Sequence, residues 1–226
     1  PPRSTLFPYT TLFRSAMADS TPIVCITGQV SSPLLGSDAF QETDVVGVSM
    51  PATKWNYQVT NPDEIAEAVA KAFYIASNGR PGPVLIDLTK DAMFKETDFV
   101  YKPCNYIRSY VPKPPVSEDS VKAAVELIKQ AKKPLVVFGQ GVILGKAEAE
   151  LKAFIEKSGI PATGTLLGLS ALPSEHPLFT GMPGMHGNAA PNMKTNECDL
   201  LIAIGMRFDD RVTGTVSEYA KPAKNI

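Results

Sequence analysis

Apolar residues recur along this chain in two alternating patterns. Short continuous runs stand at residues 21–27 (TPIVCIT), 83–88 (PVLIDL), 134–138 (PLVVF), 160–163 (IPAT) and 199–204 (DLLIAI). Each predicts a strand covered on both faces, as in a parallel sheet. Between the runs, apolar positions take helical spacing. Ile65, Val69, Ala72, Phe73 and Ala76 form one stripe, and Val121, Ala124, Val125 and Ile128 another. Residues 147–157 predict a further amphipathic helix and 191–197 a short one, while 45–48 (VVGV) read as a second short strand.

Punctuation fits these elements. In Asn61-Pro62-Asp63-Glu64 the asparagine can cap a helix, the proline suits its first turn, and Glu64 has capping-box spacing. Asn78-Gly79 closes that helix. Ser117 is a plausible cap for the next, expected to run to about Lys133, and Gly159 ends the one after it. Strands alternating with helices predict an α/β fold: the end of one doubly wound parallel-sheet domain (residues 16–92), a proline-rich extended linker lying on a surface (93–116), and most of a second doubly wound sheet (117–226). Another strand is expected where the chain stops, so the second domain reads as truncated.

Residues 1–15 (PPRSTLFPYTTLFRS) stand outside this scheme. They contain an imperfect duplicate, TLFPY then TLFRS, and match neither the helical nor the strand period of residues 16–226. Their prolines and hydroxyl residues break any signal-peptide core, and TLFPYTTLFRS resembles the translation of a DNA sequencing adapter. The segment is read as non-native and set aside.

Composition narrows the class. A 44% hydrophobic and 20% charged chain of net charge −1 has no electrostatic bias toward nucleic acid or an anionic membrane. No apolar run approaches the roughly 20 residues needed to span a bilayer. Three scattered cysteines (Cys25, Cys104, Cys198) and two histidines (His176, His186) form no CxxC pair and no zinc-type set. No metal ligand is assigned.

Candidate chemistry lies at the carboxyl ends of the predicted strands, where open α/β sheets bind ligands. Gly139-Gln140-Gly141 is a tight turn after a strand, of the kind that lets a ligand approach the backbone. Gly184-Met185-His186-Gly187 is a second glycine-flanked loop. The segment 205–214 (GMRFDDRVTG) interleaves two arginines with two aspartates, able to hold phosphate and ribose groups. Residues 38–42 (DAFQE) place an amide, Gln41, in a loop after the first strand, and Lys90 follows the strand PVLIDLT. Each also has a plain reading, as a turn, a solvated salt-bridge loop or a surface lysine.

Together GSDAFQETDVV, TKWNY, SNGRPGPVLIDLTKD, FGQGV, GMHGN and GMRFDDRVTG resemble the acetolactate synthase large subunit, a family of thiamine-diphosphate enzymes. The resemblance covers residues 16–226, and DAFQE combined with RFDDRVTG points to the FAD-containing biosynthetic form. It implies a pyrimidine-type thiamine-diphosphate domain followed by a Rossmann-like central FAD domain. It further implies decarboxylating condensation of pyruvate with pyruvate or 2-ketobutyrate, opening valine, leucine and isoleucine biosynthesis. Phe40 and Gln41 match positions beside the reacting centre, with Gln41 hydrogen-bonding substrate, and Lys90 matches a lysine at the channel mouth. Arg80 matches a flavin-contacting position in the first domain. Gly139, Gly141, Thr165, Leu166, Met185, His186, Gly205, Arg207, Asp209, Arg211 and Val212 match positions along the FAD.

The resemblance also implies thiamine diphosphate and Mg²⁺, a homodimer or tetramer, a small regulatory subunit and a bacterial cytoplasmic location. The glutamate that activates the thiamine and the Mg²⁺ ligands are expected outside this chain, so the piece alone is expected to be inactive. Ser31, Ser32 and Pro33 replace a proline and basic residues common in the family, and Trp55 stands where many relatives have histidine. The alternatives are another thiamine-diphosphate carboligase, such as a glyoxylate carboligase, and a non-catalytic flavin-binding module.

Overall fold

A computed structural model describes residues 8–226 and divides the chain into two compact units between Pro115 and Val116. In the first unit, β1 (Ile23–Gln29), β2 (Trp55–Val59) and β3 (Pro83–Thr89) form a parallel sheet in the order β1-β3-β2. The strand predicted from PVLIDL is its centre, and six of its seven residues are buried. The helix announced by Asn61 is α3 (Ile65–Ser77), whose Ala68, Ala72, Ile75 and Ala76 pack with Val59, Val84 and Ile86. Phe73, expected in that stripe, is 61% exposed, and Ile75 holds the inner position. Asn61 caps a short 3₁₀ turn by accepting from the Asp63 N–H, whereas Glu64 makes no capping bond and accepts from the Tyr57 hydroxyl at 2.8 Å.

Two other expectations are corrected in this unit. Residues 45–48 are helical, not extended: they lie in α2 (Val45–Ser49), where the Asp44 carboxylate accepts from the Gly47 N–H and outweighs the β preference of the valines. The missing strand is β2. Its Trp55 and Tyr57 stack on one face (5.6 Å between centroids), while Asn56 and Gln58 bond α2 and β3 on the other. Secondly, residues 8–15, read as lacking periodicity, form most of α1 (Pro8–Ala18), which buries Phe13 and Ala16 one helical turn apart. Residues 1–7 lie outside the described part. The stretch read as a linker lying on a surface is tied to the first unit: Tyr110 donates to the Asn78 carbonyl, and Lys54 Nζ donates to Asn78 (2.8 Å) and to the Tyr110 oxygen (3.0 Å).

The second unit is a four-stranded parallel sheet of β4 (Pro134–Phe138), β5 (Ala162–Gly164), β6 (Leu200–Ile204) and β7 (Lys224–Asn225), in the order β5-β4-β6-β7. Ser117 caps α5 (Glu118–Gln130) through the Ser120 N–H. This helix stops before Lys133, and its inward face is Leu127, Ile128 and the following Ala131, leaving Val121 51% exposed. After β4 come α6 (Gln140–Leu144) and α7 (Glu148–Ser158), the latter closed by Gly159 at φ +67°. Leu151, Ile155, Phe138 and Leu172 fill one side of the sheet, and Leu135, Val137, Leu201 and Cys198 the other. The strand expected where the chain stops is β7. Helix α8 (Ala189–Glu197) precedes β6.

That order creates a switch point. From β4 the chain crosses outward to β5, then returns to place β6 on the other side of β4. A crevice therefore opens at the carboxyl ends of β4 and β6.

Candidate functional site

In the first unit, β1 and β3 end level, Gln29 opposite Thr89. The loop of residues 30–44 leaves from this edge, and Lys90 opens α4 (Lys90–Phe94) beside it. Phe40 is 89% exposed at the loop's tip. Asp38 and Gln41 hold left-handed backbone at φ +59° and +66°, costing about 1 kcal/mol or more each for non-glycine residues. The Glu42 carboxylate offsets this by accepting from the Gly36 and Ala39 N–H groups, bonds that hold its own pKa below the usual carboxylate range.

Beneath the loop, Asp87 is wholly buried in the central strand. It accepts from Thr27 Oγ1 (2.7 Å), Gln58 Nε2 (2.9 Å) and Gln29 Nε2 (3.3 Å), so one carboxylate ties all three strands. Sequence reasoning missed it, although a charge inside a fully apolar strand signals a bonded buried group. Arg80 lies at a different place: its guanidinium donates to the Met17 and Ala18 carbonyls and to Ser20 Oγ, closing the end of α1.

In the second unit the candidate segments converge. Gly139 N–H donates to the Ile204 carbonyl (3.0 Å) and Gly141 N–H to that of Gly205 (2.7 Å). A β-carbon on Gly141 would lie 2.6 Å from Gly205 Cα, and one on Gly168 2.6 Å from Gly139 Cα. Glycine is thus required so that three strand-to-loop turns can touch backbone to backbone, a different reason from the ligand approach expected of Gly139 and Gly141. Thr165 N–H bonds the Phe138 carbonyl (2.9 Å), which sets Thr165 and the exposed Leu166 beside the same turns.

The arginine–aspartate segment follows directly. Asp209 caps the short helix α9 (Asp210–Thr213) by accepting from Arg211 and Val212 N–H, and its other oxygen lies 3.5 Å from Arg207 Nε. Asp210 pairs with Arg211 at 3.8 Å. The Arg211 carbonyl accepts from Met185 N–H at 2.8 Å, and Gly184 packs against it at φ +101°. Asn192 of α8 clamps Gly184 through both its amide groups, at 2.8 and 3.0 Å. Met185 and His186 are thereby held next to the arginine loop. Sequence reasoning missed Gly168 and Asn192; glycines in sequence-distant loops were the available signal.

The result is one edge carrying the exposed guanidinium groups of Arg207 and Arg211 beside exposed apolar Leu166, Met185 and Phe208. Such a surface suits a ligand joining phosphate to a flat ring. Among the described residues, no group of three or more histidine, cysteine, aspartate or glutamate side chains could hold a metal ion, and no helix is long and apolar enough to cross a membrane.

A parallel sheet with its candidate ligand edge at the switch point matches a known class. Residues 121–226 match the family described as "Thiamine pyrophosphate enzyme, central domain". The chain is similar over most of its length to acetolactate synthase large subunits. It is 51% identical over 211 residues to that of Corynebacterium glutamicum, covering 93% of this chain and 34% of the relative. It is 43% identical over 212 residues to the isozyme 2 large subunit of Escherichia coli, covering 93% and 38%. The chain therefore spans little more than a third of these relatives. An X-ray structure from Mycobacterium smegmatis, of an enzyme assigned to the thiamin diphosphate-dependent class, matches 88% of the chain with TM-score 0.69 at 23% identity, a likeness of fold.

Proposed function

We propose that this chain is part of an acetolactate synthase large subunit that joins pyruvate to a second 2-keto acid, with thiamine diphosphate as the reacting cofactor and FAD held by the second unit. The observation that supports it best is the convergence of Gly139, Gly141, Thr165, Leu166, Met185, His186, Gly205, Arg207, Asp209, Arg211 and Val212 on one sheet edge, from four separate segments. Arg207 and Arg211 would hold the FAD phosphates, Asp209 would fix their loop, and Leu166 and Met185 would flank an apolar ring. The left-handed Gln41 would hydrogen-bond the keto acid, Phe40 would border it, and the Lys90 cation would draw in its carboxylate. Thiamine diphosphate supplies the electron sink for loss of carbon dioxide when bound. Mg²⁺ is assigned to no residue of this chain. The names of the relatives support a small-subunit partner; the same reading would have the full-length protein assemble into dimers or tetramers in the cytoplasm.

Flavin titration of the chain, followed by flavin fluorescence, tests the second unit directly. Saturable binding is expected, weakened about ten- to a hundredfold by Arg207→Ala or Arg211→Ala. A folded chain that ignores FAD would refute the flavin assignment. A full-length protein that makes no acetolactate from pyruvate would refute the activity.

A further inference from the structure

The loop carrying Phe40 and Gln41 is fastened at both feet through carboxylates of β3 and the turn after it. At its far foot, Gln29 uses its whole amide. Its oxygen accepts from Val30 N–H (2.9 Å), while its Nε2 donates to the Thr43 carbonyl (2.6 Å) and to buried Asp87 (3.3 Å). Thr27 and Gln58 hold that aspartate from the strands on either side. At the near foot, Asp91 accepts from Ser32 N–H (2.8 Å) and from the Ser32 hydroxyl on both oxygens (2.9 and 3.0 Å). Thr89 Oγ1 lies 3.2 Å from the same hydroxyl, and the exposed Lys95 Nζ lies 3.5 Å from the Asp91 carboxylate. Asp91 also adjoins Lys90, so one group fixes the start of the loop and the start of the helix bearing the lysine.

A buried carboxylate held by neutral donors, as Asp87 is, is a costly way to hold three strands together, since apolar packing would serve stability as well or better. Its use is explained by what it orients. With Asp87 fixed, the Gln29 amide can face only one way, and Thr43 is held against the end of β1. The middle of the loop needs such restraint, because Asp38 and Gln41 stay left-handed only while their surroundings dictate it.

We propose that Asp87, acting through Gln29, and Asp91, acting through Ser32, are positioning residues that preset the loop of residues 30–44 and with it the Gln41 amide. This rests on the reading of Gln41 as a substrate-binding group. It also gives a task to Ser32, one of the positions where the chain departs from its family.

Hydrogen–deuterium exchange of the 226-residue chain reads the restraint without needing activity. Gln29→Met keeps the bulk of the side chain and removes its amide; Asp91→Asn removes the charge and turns one of the two oxygens that accept from Ser32 into a donor. Each is expected to speed exchange of residues 30–44 about tenfold or more while amides of β3 and α3 hold their rates. Ser32→Thr, which retains the hydroxyl, is expected to leave the loop protected. Exchange within about twofold of the wild type in both Gln29→Met and Asp91→Asn would overturn the proposal, and if Asp87→Asn does not fold, Gln29→Met decides that arm. In the full-length protein the same two substitutions are expected to lower kcat about tenfold or more with thiamine diphosphate affinity unchanged. A loosened loop with undiminished kcat would also overturn the positioning role. A wild-type protein inactive toward pyruvate would instead count against the proposed function, leaving loop exchange to decide the restraint.

Discussion

The two candidate edges present their residues by opposite means. In the first unit a loop rich in strained backbone is held by side chains: Glu42 inside it, Asp87 and Asp91 at its feet. In the second, the arrangement depends on side chains that are absent, because Gly139, Gly141, Gly168 and Gly205 let backbone meet backbone. Carboxylate anchoring tolerates some change of shape and is sensitive to protonation and to loss of a single acceptor. Backbone packing is indifferent to pH and intolerant of one methyl group. Hence the first edge depends on side-chain bonds that one substitution can release, while the second is rigid through its backbone contacts.

The contrast is broken most severely at the glycines. Gly141→Ala would press a methyl onto Gly205, and urea unfolding should show a loss of about 3 kcal/mol, since overpacked backbone cannot rotate away. The matched change in the first loop, Gly36→Ala, meets no atom within 4 Å at φ +77° and should cost only about 1 kcal/mol of backbone strain. Equal losses would remove the distinction. Next in size, Asp209→Ala removes the cap of α9 and should cost about 1 kcal/mol; an unchanged unfolding midpoint would mean that the cap is idle.

A smaller effect sharpens the electrostatic side. The Ser32 N–H holds the Asp91 carboxyl well below the usual carboxylate range. A depressed pKa contributes stability above the unfolded value, near 4, and loses it as pH falls toward the folded one. The stability gap between the wild type and Asp91→Asn should therefore be flat from neutral pH to about 5 and narrow below about 4. A gap that widens on acidification would contradict the geometry. Smallest of all, Phe73→Ala should change stability by no more than about 0.5 kcal/mol, because the side chain is 61% exposed; a loss typical of a core phenylalanine would restore the expected stripe.

Much of this architecture was legible. The caps at Asn61 and Ser117, the buried strands β3, β4 and β6, and the stop at Gly159 follow from local rules, since caps, apolar runs and left-handed glycines are settled within a few residues. The segments of both candidate edges were also found as motifs, because loops at strand ends must carry glycine and polar side chains. Less legible was β2, an edge strand whose polar alternation, Asn56 and Gln58, serves inward hydrogen bonds. Residues 45–48 misled because two valines favour a strand until Asp44 caps them as a helix.

By itself, then, the sequence determined an α/β chain of two parallel sheets and the identity of the residues at their carboxyl edges. Only the tertiary structure decided what those residues do for one another: that Asp87 ties three strands, that Arg80 closes α1, that the glycines face other glycines. Such roles depend on partners dozens of residues away, and no local preference of the chain encodes which of them will meet.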